Sequence, residues 1–189
     1  MLKQNNFDKF QPLFLEIDKR QKENLLIAID GNCAAGKSTL AAFLKSAYGC
    51  NVFSTDDFFL KKSEKTKERL SKPGGNVDHE RFLSELIKPL VKGIPFEYRA
   101  FDCKTQKLTE PILINPTTIN VIEGVYCMRP EFINVYDIKV FLSIDEKEQK
   151  RRLMKRNPAA YERYVNEWIP LEEKYFEAFA VKVKCDFVF

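Results

Sequence analysis

Phe7, Phe10, Leu13, Phe14 and Ile17 recur at three- and four-residue intervals, which predicts an amphipathic helix over residues 7 to 20. A short apolar run from Leu25 to Ile29 then meets Asp30-Gly31, the pattern of a buried strand entering a turn. Thr39 to Tyr48 reads as a helix closed by Gly49, and Asn51 to Ser54 as a second strand ending at Thr55-Asp56-Asp57. Residues 61 to 76 are polar, contain Pro73-Gly74-Gly75 and predict a loop. Asp78 is the expected N-cap of a helix carrying Phe82, Leu83, Leu86, Ile87 and Leu90 and ending at Gly93. Residues 96 to 115 predict a small two-stranded lobe. Strands follow at 118 to 122 and 137 to 144, then a highly charged helix from about Glu146 to Arg156.

The last long segment places Tyr161, Tyr164, Trp168, Leu171, Tyr175 and Phe179 at helical spacing, so these aromatics read as core rather than as a stacking platform. Pro170 is expected to kink or restart that helix. Cys185 to Phe189 is strand-like. Strands alternating with helices imply a parallel sheet with helices on both faces. No internal repeat or low-complexity segment interrupts the 189 residues, which suit one domain with a small appended lobe.

Composition narrows the class. Hydrophobic residues make up 44% and charged residues 31%, ordinary for a soluble globular chain and unlike a disordered one. No apolar run approaches the roughly 20 residues of a membrane-spanning helix, and the first residues lack the apolar centre of a secretory signal. A cytoplasmic protein with no membrane partner is therefore expected. The five cysteines, at 33, 50, 103, 127 and 185, have no zinc or redox spacing and are expected to be reduced thiols. With His79 as the single histidine, a dedicated transition-metal site is disfavoured. The net charge is only +4. Lysines and arginines concentrate between Lys61 and Pro73, which reads either as a solvated loop or as a basic segment beside an anionic substrate. Aromatics are not interleaved with them, so nucleic acid is not an expected partner.

The strongest chemical signal is Gly31-Asn32-Cys33-Ala34-Ala35-Gly36-Lys37-Ser38, followed by Thr39. It fits the phosphate-loop pattern, and a strand runs in while a helix runs out, as the pattern requires. The glycines let the backbone curl so that successive N–H groups face phosphate oxygens, and the next helix offers its N-terminus to the same anion. In such loops the lysine, here Lys37, reaches the terminal phosphates, and the hydroxyl, here Ser38, can ligand Mg²⁺. Ligands of open α/β sheets sit beyond the carboxyl ends of the strands, where Asp56, Asp57 and Glu123 fall. One or two carboxylates with Ser38 would suffice for Mg²⁺, and a carboxylate beside the transferred group can accept a hydroxyl proton. Asp57 reads equally as a turn cap. Arg152 and Arg156, four apart on one helical face, suit stabilisation of phosphoryl charge; the plain alternative is a solvent-facing helix paired with Glu146 and Glu148.

With these motifs in order, the chain resembles the uridine kinase-like branch of the P-loop kinases, whose relatives include phosphoribulokinase, pantothenate kinase and nicotinamide riboside kinase. The resemblance rests on residues 31 to 38, Ser54-Thr55-Asp56-Asp57-Phe58-Phe59, Asn76-Val77-Asp78-His79, Val121-Ile122-Glu123-Gly124 and the arginine-rich helix after Asp145. It covers roughly residues 25 to 160. Pro73 to Asp78, Phe101-Asp102-Cys103 and Trp168 to Glu172 look like a bacterial subgroup of that branch.

The resemblance implies a three-layer P-loop NTPase sandwich with a mostly five-stranded parallel sheet, an acceptor-binding insertion at about 61–115 and a lid at about 150–162. It implies ATP and Mg²⁺ as cofactors, residues 31 to 39 as the ATP site, and Asp56 as general base. Ser38, Asp56 and Glu123 would hold Mg²⁺, and Lys37, Arg152 and Arg156 would act on the transferred phosphoryl group. Asp57, Asp78, His79, Tyr98 and Arg99 would bind the acceptor, with Asp78 on ribose hydroxyls and Tyr98 packing on a nucleobase. The chain departs from the pattern in reading Tyr98-Arg99-Ala100-Phe101-Asp102 where the family has tyrosine-aspartate-phenylalanine, and it lacks the downstream histidine that reads a pyrimidine edge. The expected activity is transfer of the γ-phosphoryl group to a hydroxyl of a small metabolite, a nucleoside or riboside; the acceptor's identity and the oligomeric state stay open. The competing reading is a nucleotide-binding switch or regulatory ATPase, disfavoured because no Asn-Lys-x-Asp base-recognition motif occurs.

Overall fold

The computed structural model describes residues 7–20 and 24–189. Residues 1–6 and 21–23 lie outside the described residues. Nine strands are present among the described residues: β1 (Leu25–Gly31), β2 (Asn51–Ser54), β3 (Phe96–Tyr98), β4 (Phe101–Asp102), β5 (Lys107–Leu108), β6 (Ile112–Ile114), β7 (Ile119–Glu123), β8 (Ile138–Leu142) and β9 (Phe187–Val188). The main helices are α1 (Gln11–Lys19), α2 (Lys37–Tyr48), α3 (Lys67–Ser71), α4 (79–92), α5 (Glu146–Arg156) and α6 (161–179).

Five strands form one sheet in the order β2-β7-β1-β8-β9, every pair parallel. β1 is buried along its whole length, and its alternate residues feed two cores. Leu25, Ile27 and Ile29 pack with Leu13 and Ile17 of α1 and Leu40 and Leu44 of α2. Leu26 and Ala28 pack with Phe82, Leu86 and Leu90 of α4 and Tyr175 of α6. The period-two alternation of a strand thus writes a three-layer sandwich, helices on both faces, as the pattern predicts.

Two local readings needed adjustment. The polar loop at 61–76 holds a helical turn, α3, because Thr66 caps it by accepting the Arg69 N–H at 3.1 Å. The predicted two-stranded lobe is two nested antiparallel pairs, β3 with β6 and β4 with β5; strands of two or three residues are too short for periodicity to resolve. As expected, Pro170 restarts α-helical geometry within α6, standing in the first turn of Ile169–Phe179. A π turn, Tyr164–Trp168, immediately precedes it, and Phe82–Ile87 does the same ahead of Pro89 in α4. Within the stretch read as an insertion, α4 packs against the central sheet. All five cysteines are free, and no helix among the described residues is long and apolar enough to cross a membrane.

Candidate active site

The site lies at the carboxyl ends of β1, β2 and β7. Register sets Ser54 beside Glu123 and Ile29 beside Glu123, so the loop after β1 and the acids after β2 and β7 emerge together. Gly31 approaches β8 so closely that a Cβ there would fall 2.1 Å from the Leu142 carbonyl oxygen, and its φ is +133°. That approach lets the Asn32 N–H donate to Leu142 O at 3.1 Å and fixes where the loop begins. Gly124 plays the matching part beyond β7. At φ +128°, a Cβ there would lie 1.9 Å from Thr55 Oγ1. In its absence the Thr55 hydroxyl donates to Val125 O at 2.9 Å, stapling the end of β2 to that of β7 and setting Asp56 beside Glu123.

Residues 31 to 38 curl into the N-terminus of α2, whose first turn no described side chain caps. Its N–H groups and positive end are thereby left to an anion. Lys37 is buried; its ammonium donates to Gly31 O at 2.7 Å and Asn32 O at 2.9 Å, lying across the loop it serves. Ser38 Oγ donates to Glu123 Oε1 at 3.2 Å. Burial raises the Glu123 carboxyl above its ordinary range, and Asp56 adds to the rise while Lys37 opposes it. Asp56 is exposed on its open side, and the protein atoms around its carboxylate partly desolvate it. That desolvation raises its carboxyl, Lys37 and Arg156 oppose the rise, and Asp57 adds to it. Ser38, Glu123 and Asp56 form an all-oxygen donor set that could hold a hard divalent cation with phosphate and water completing the shell. Among the described residues no group of three or more His, Cys, Asp or Glu forms a self-sufficient metal cage.

Arg152 and Arg156 both come to the loop. Arg152 donates to Ala34 O at 3.1 Å and to Glu148 at 2.7 Å, while Arg156 acts electrostatically on Asp56 and Cys33. The Cys33 thiol is pushed up to about 11 by burial, so it is no nucleophile.

The acceptor residues divide. Tyr98 donates to Asp57 Oδ2 at 2.5 Å, joining these two directly. The Tyr98 ring is buried and packs against Phe53 and Phe58, at 5.4 and 5.9 Å between centroids, so it presents a hydroxyl rather than a stacking face. Asp78 caps α4 through Oδ1, accepting the Arg81 N–H at 2.9 Å, and also lines a cleft of about 480 Å³ with Leu60, Thr66 and Arg69. His79 turns to Arg69 and Glu80, at 3.0 and 3.2 Å, and joins that pair rather than Asp57. Arg99 pairs with Glu85 at 2.9 Å.

Sequence reasoning missed the residue that ties this end together. Arg81 donates to Asp57 O at 2.5 Å and Arg99 O at 2.9 Å, pairs with Glu85 and lies 4.1 Å over the Phe58 ring. Only its position three residues after the Asp78 cap hinted at it. Asp30 and Glu172 were missed as well. Asp30 is wholly buried, accepts from Gly31 N–H at 2.7 Å and from the Tyr175 hydroxyl at 2.8 Å, and burial raises it to about 6. Glu172, also buried, accepts from the Cys33 N–H at 2.9 Å. Its signal was legible, because a carboxylate interrupts the stripe of Trp168, Leu171, Tyr175 and Phe179.

A parallel five-stranded sandwich with this loop at its central strand is the P-loop nucleotide-binding fold. No family model matches the chain. A curated uridine kinase of Chlamydia pneumoniae is 26% identical over 171 residues, 81% of this chain and 76% of that protein. A possible uridine kinase from Bacillus stearothermophilus superposes with a TM-score of 0.72 at 20% identity, over 94% of this chain and 96% of that one. A candidate fructose transport system kinase from Silicibacter sp. TM1040 gives 0.69 at 23%, over 95% and 96%. The chain is thus similar in sequence to a uridine kinase and shares the fold of both solved structures.

Proposed function

We propose that the protein is an ATP-dependent phosphotransferase, with Mg²⁺, that moves the γ-phosphoryl group to a hydroxyl of a small metabolite. A nucleoside or other riboside is the acceptor class suggested by the uridine kinase of Chlamydia pneumoniae. The observation that carries this reading is Asp56, held by the Thr55 staple beside Glu123 and within the field of Lys37 and Arg156.

The uncapped amides at the start of α2 bind and orient the polyphosphate, while the amides of Gly31, Asn32 and Cys33 are held by Asp30, Leu142 and Glu172, and the Lys37 ammonium exchanges its carbonyl partners for phosphate oxygens. Ser38, Glu123 and Asp56 would hold Mg²⁺, directly or through water, and the ion would neutralise phosphate charge. Asp56 takes the proton from the acceptor hydroxyl; its raised carboxyl pKa makes it a better acceptor than a solvated aspartate. Asp57 and Tyr98, braced by Arg81, orient the acceptor. Arg152 and Arg156 stabilise charge on the moving group and help exclude water.

The deciding experiment is ATP turnover measured with and without a panel of nucleosides, ribosides and sugars. At least one acceptor should stimulate turnover many-fold and emerge phosphorylated on a hydroxyl. Turnover indifferent to every acceptor, but raised by a protein partner, would replace this reading with the regulatory ATPase.

A further inference from the structure

We propose that Glu172 and Gln149 are positioning residues that hold the crest of the phosphate loop in its polyphosphate-binding shape. The idea builds on the nucleotide site proposed above and assigns two residues that the resemblance and the loop motif leave without a role. Three neighbouring backbone groups at the crest are each taken by a side chain from far along the chain. The Cys33 N–H donates to Glu172 Oε2 at 2.9 Å. The Cys33 carbonyl accepts from Gln149 Nε2 at 3.0 Å, and the Ala34 carbonyl from Arg152 Nη1 at 3.1 Å. Glu172 comes from α6; Gln149 and Arg152 come from α5.

The loop needs such a hold. Ala34 sits at φ +62°, the left-handed region, which costs a residue with a Cβ on the order of 1 kcal/mol. Cys33 also packs in a small apolar cluster with Leu153 and Tyr164, so the crest is gripped by side chain and by backbone. Both polar grips are buried, Glu172 at 6% exposure and Gln149 at 5%. Unbonded, such groups would oppose folding, and here the bonds they make go to the loop. Glu172 also lies in the field of Lys37, so it is placed within the phosphate end rather than behind it. Since α5 and α6 flank the break at Asn157, the same two residues tie the predicted lid to the loop it would cover.

The test is calorimetry on the full chain with Mg²⁺ and either inorganic tripolyphosphate or a non-hydrolysable ATP analogue. Tripolyphosphate has no base or ribose, so it reads the loop alone. Glu172→Ala should weaken both ligands by about tenfold or more, the loss of one buried hydrogen bond to a loop amide. Glu172→Gln, whose amide oxygen still accepts from the Cys33 N–H, should bind within about threefold of wild type. Glu172→Ala binding like wild type would overturn the proposal and leave the nucleotide site standing. Equal weakening by Ala and Gln would also overturn it, since that marks a merely structural carboxylate. If Glu172→Ala fails to fold, Gln149→Ala carries the test: a several-fold loss supports the grip, and unchanged affinity overturns it. A wild-type protein that binds neither ligand would sink the nucleotide site itself, and the grip with it.

Discussion

The proposed phosphate end and the proposed acceptor end of the candidate site are built from different materials. At the phosphate end one contiguous stretch, residues 31 to 39, supplies backbone amides, and the bonds that shape it run to backbone: Lys37 to Gly31 and Asn32, Arg152 to Ala34, Gln149 to Cys33. At the acceptor end the work falls to side chains from three separate segments, Asp57, Arg81 with Glu85, and Tyr98 with Arg99. Backbone amides recognise any phosphate, which is why that end is generic. A side-chain network reads a particular pattern of hydroxyls, and changing one member changes the pattern.

The contrast can be broken at either end. Lys37→Ala should have the largest effect, abolishing phosphoryl transfer by about 10³-fold or more in a coupled turnover assay, since the loop loses its ammonium. Normal turnover would remove the phosphate end from the chemistry. Asp56→Asn should lower kcat by roughly 10²- to 10³-fold while nucleotide affinity, read by calorimetry, shifts far less. Equal losses in both would make Asp56 a binding group rather than a base.

The third prediction concerns pH. Burial raises Glu172 to about 7 from an ordinary 4.5, with Asp30 and Asp56 adding and Lys37 opposing. The folded protein therefore holds a proton there that the unfolded chain releases near pH 4.5. This group's contribution to stability is complete below that value and is lost as pH rises through about 7. Urea melts taken between about pH 5 and pH 8 should lose on the order of 2–3 kcal/mol from Glu172. Glu172→Gln should flatten that slope, leaving the smaller fall from Asp30, which is raised to about 6 for the same reason. An unchanged slope would mean that Glu172 is ionised in the folded state at pH 6.

Tyr98→Phe should be the mildest, raising the acceptor KM about three- to tenfold, the worth of one hydrogen bond, with the nucleotide KM unchanged. A shift confined to the nucleotide would place Tyr98 at the wrong end.

Much of this was legible before the chain was folded. The sheet strands, α2, the Asp78 cap and residues 31 to 39 are short-range patterns, and each was read from spacing alone. The strand-end acids Asp56 and Glu123 were found because parallel sheets put their ligands there. What was not legible depended on neighbours far apart in the chain. His79 was expected beside the acceptor residues, but α3 brings Arg69 against it. Tyr98 was expected to offer its ring, but Phe53 and Phe58 cover that ring and leave the hydroxyl. Arg81 drew no reading from its local sequence, and only the fold brings the carbonyls of Asp57 and Arg99 to it.

The sequence by itself determined the glycine-bounded curl after β1 and the alternation that stacks helices on both faces of a sheet, because amides and periodicity are properties of adjacent residues. Only the tertiary structure decided that Glu172 and Gln149 meet at Cys33, and which side chains face the acceptor. Those contacts join residues more than a hundred positions apart, and no local pattern encodes which buried polar groups will be brought within bonding distance of each other.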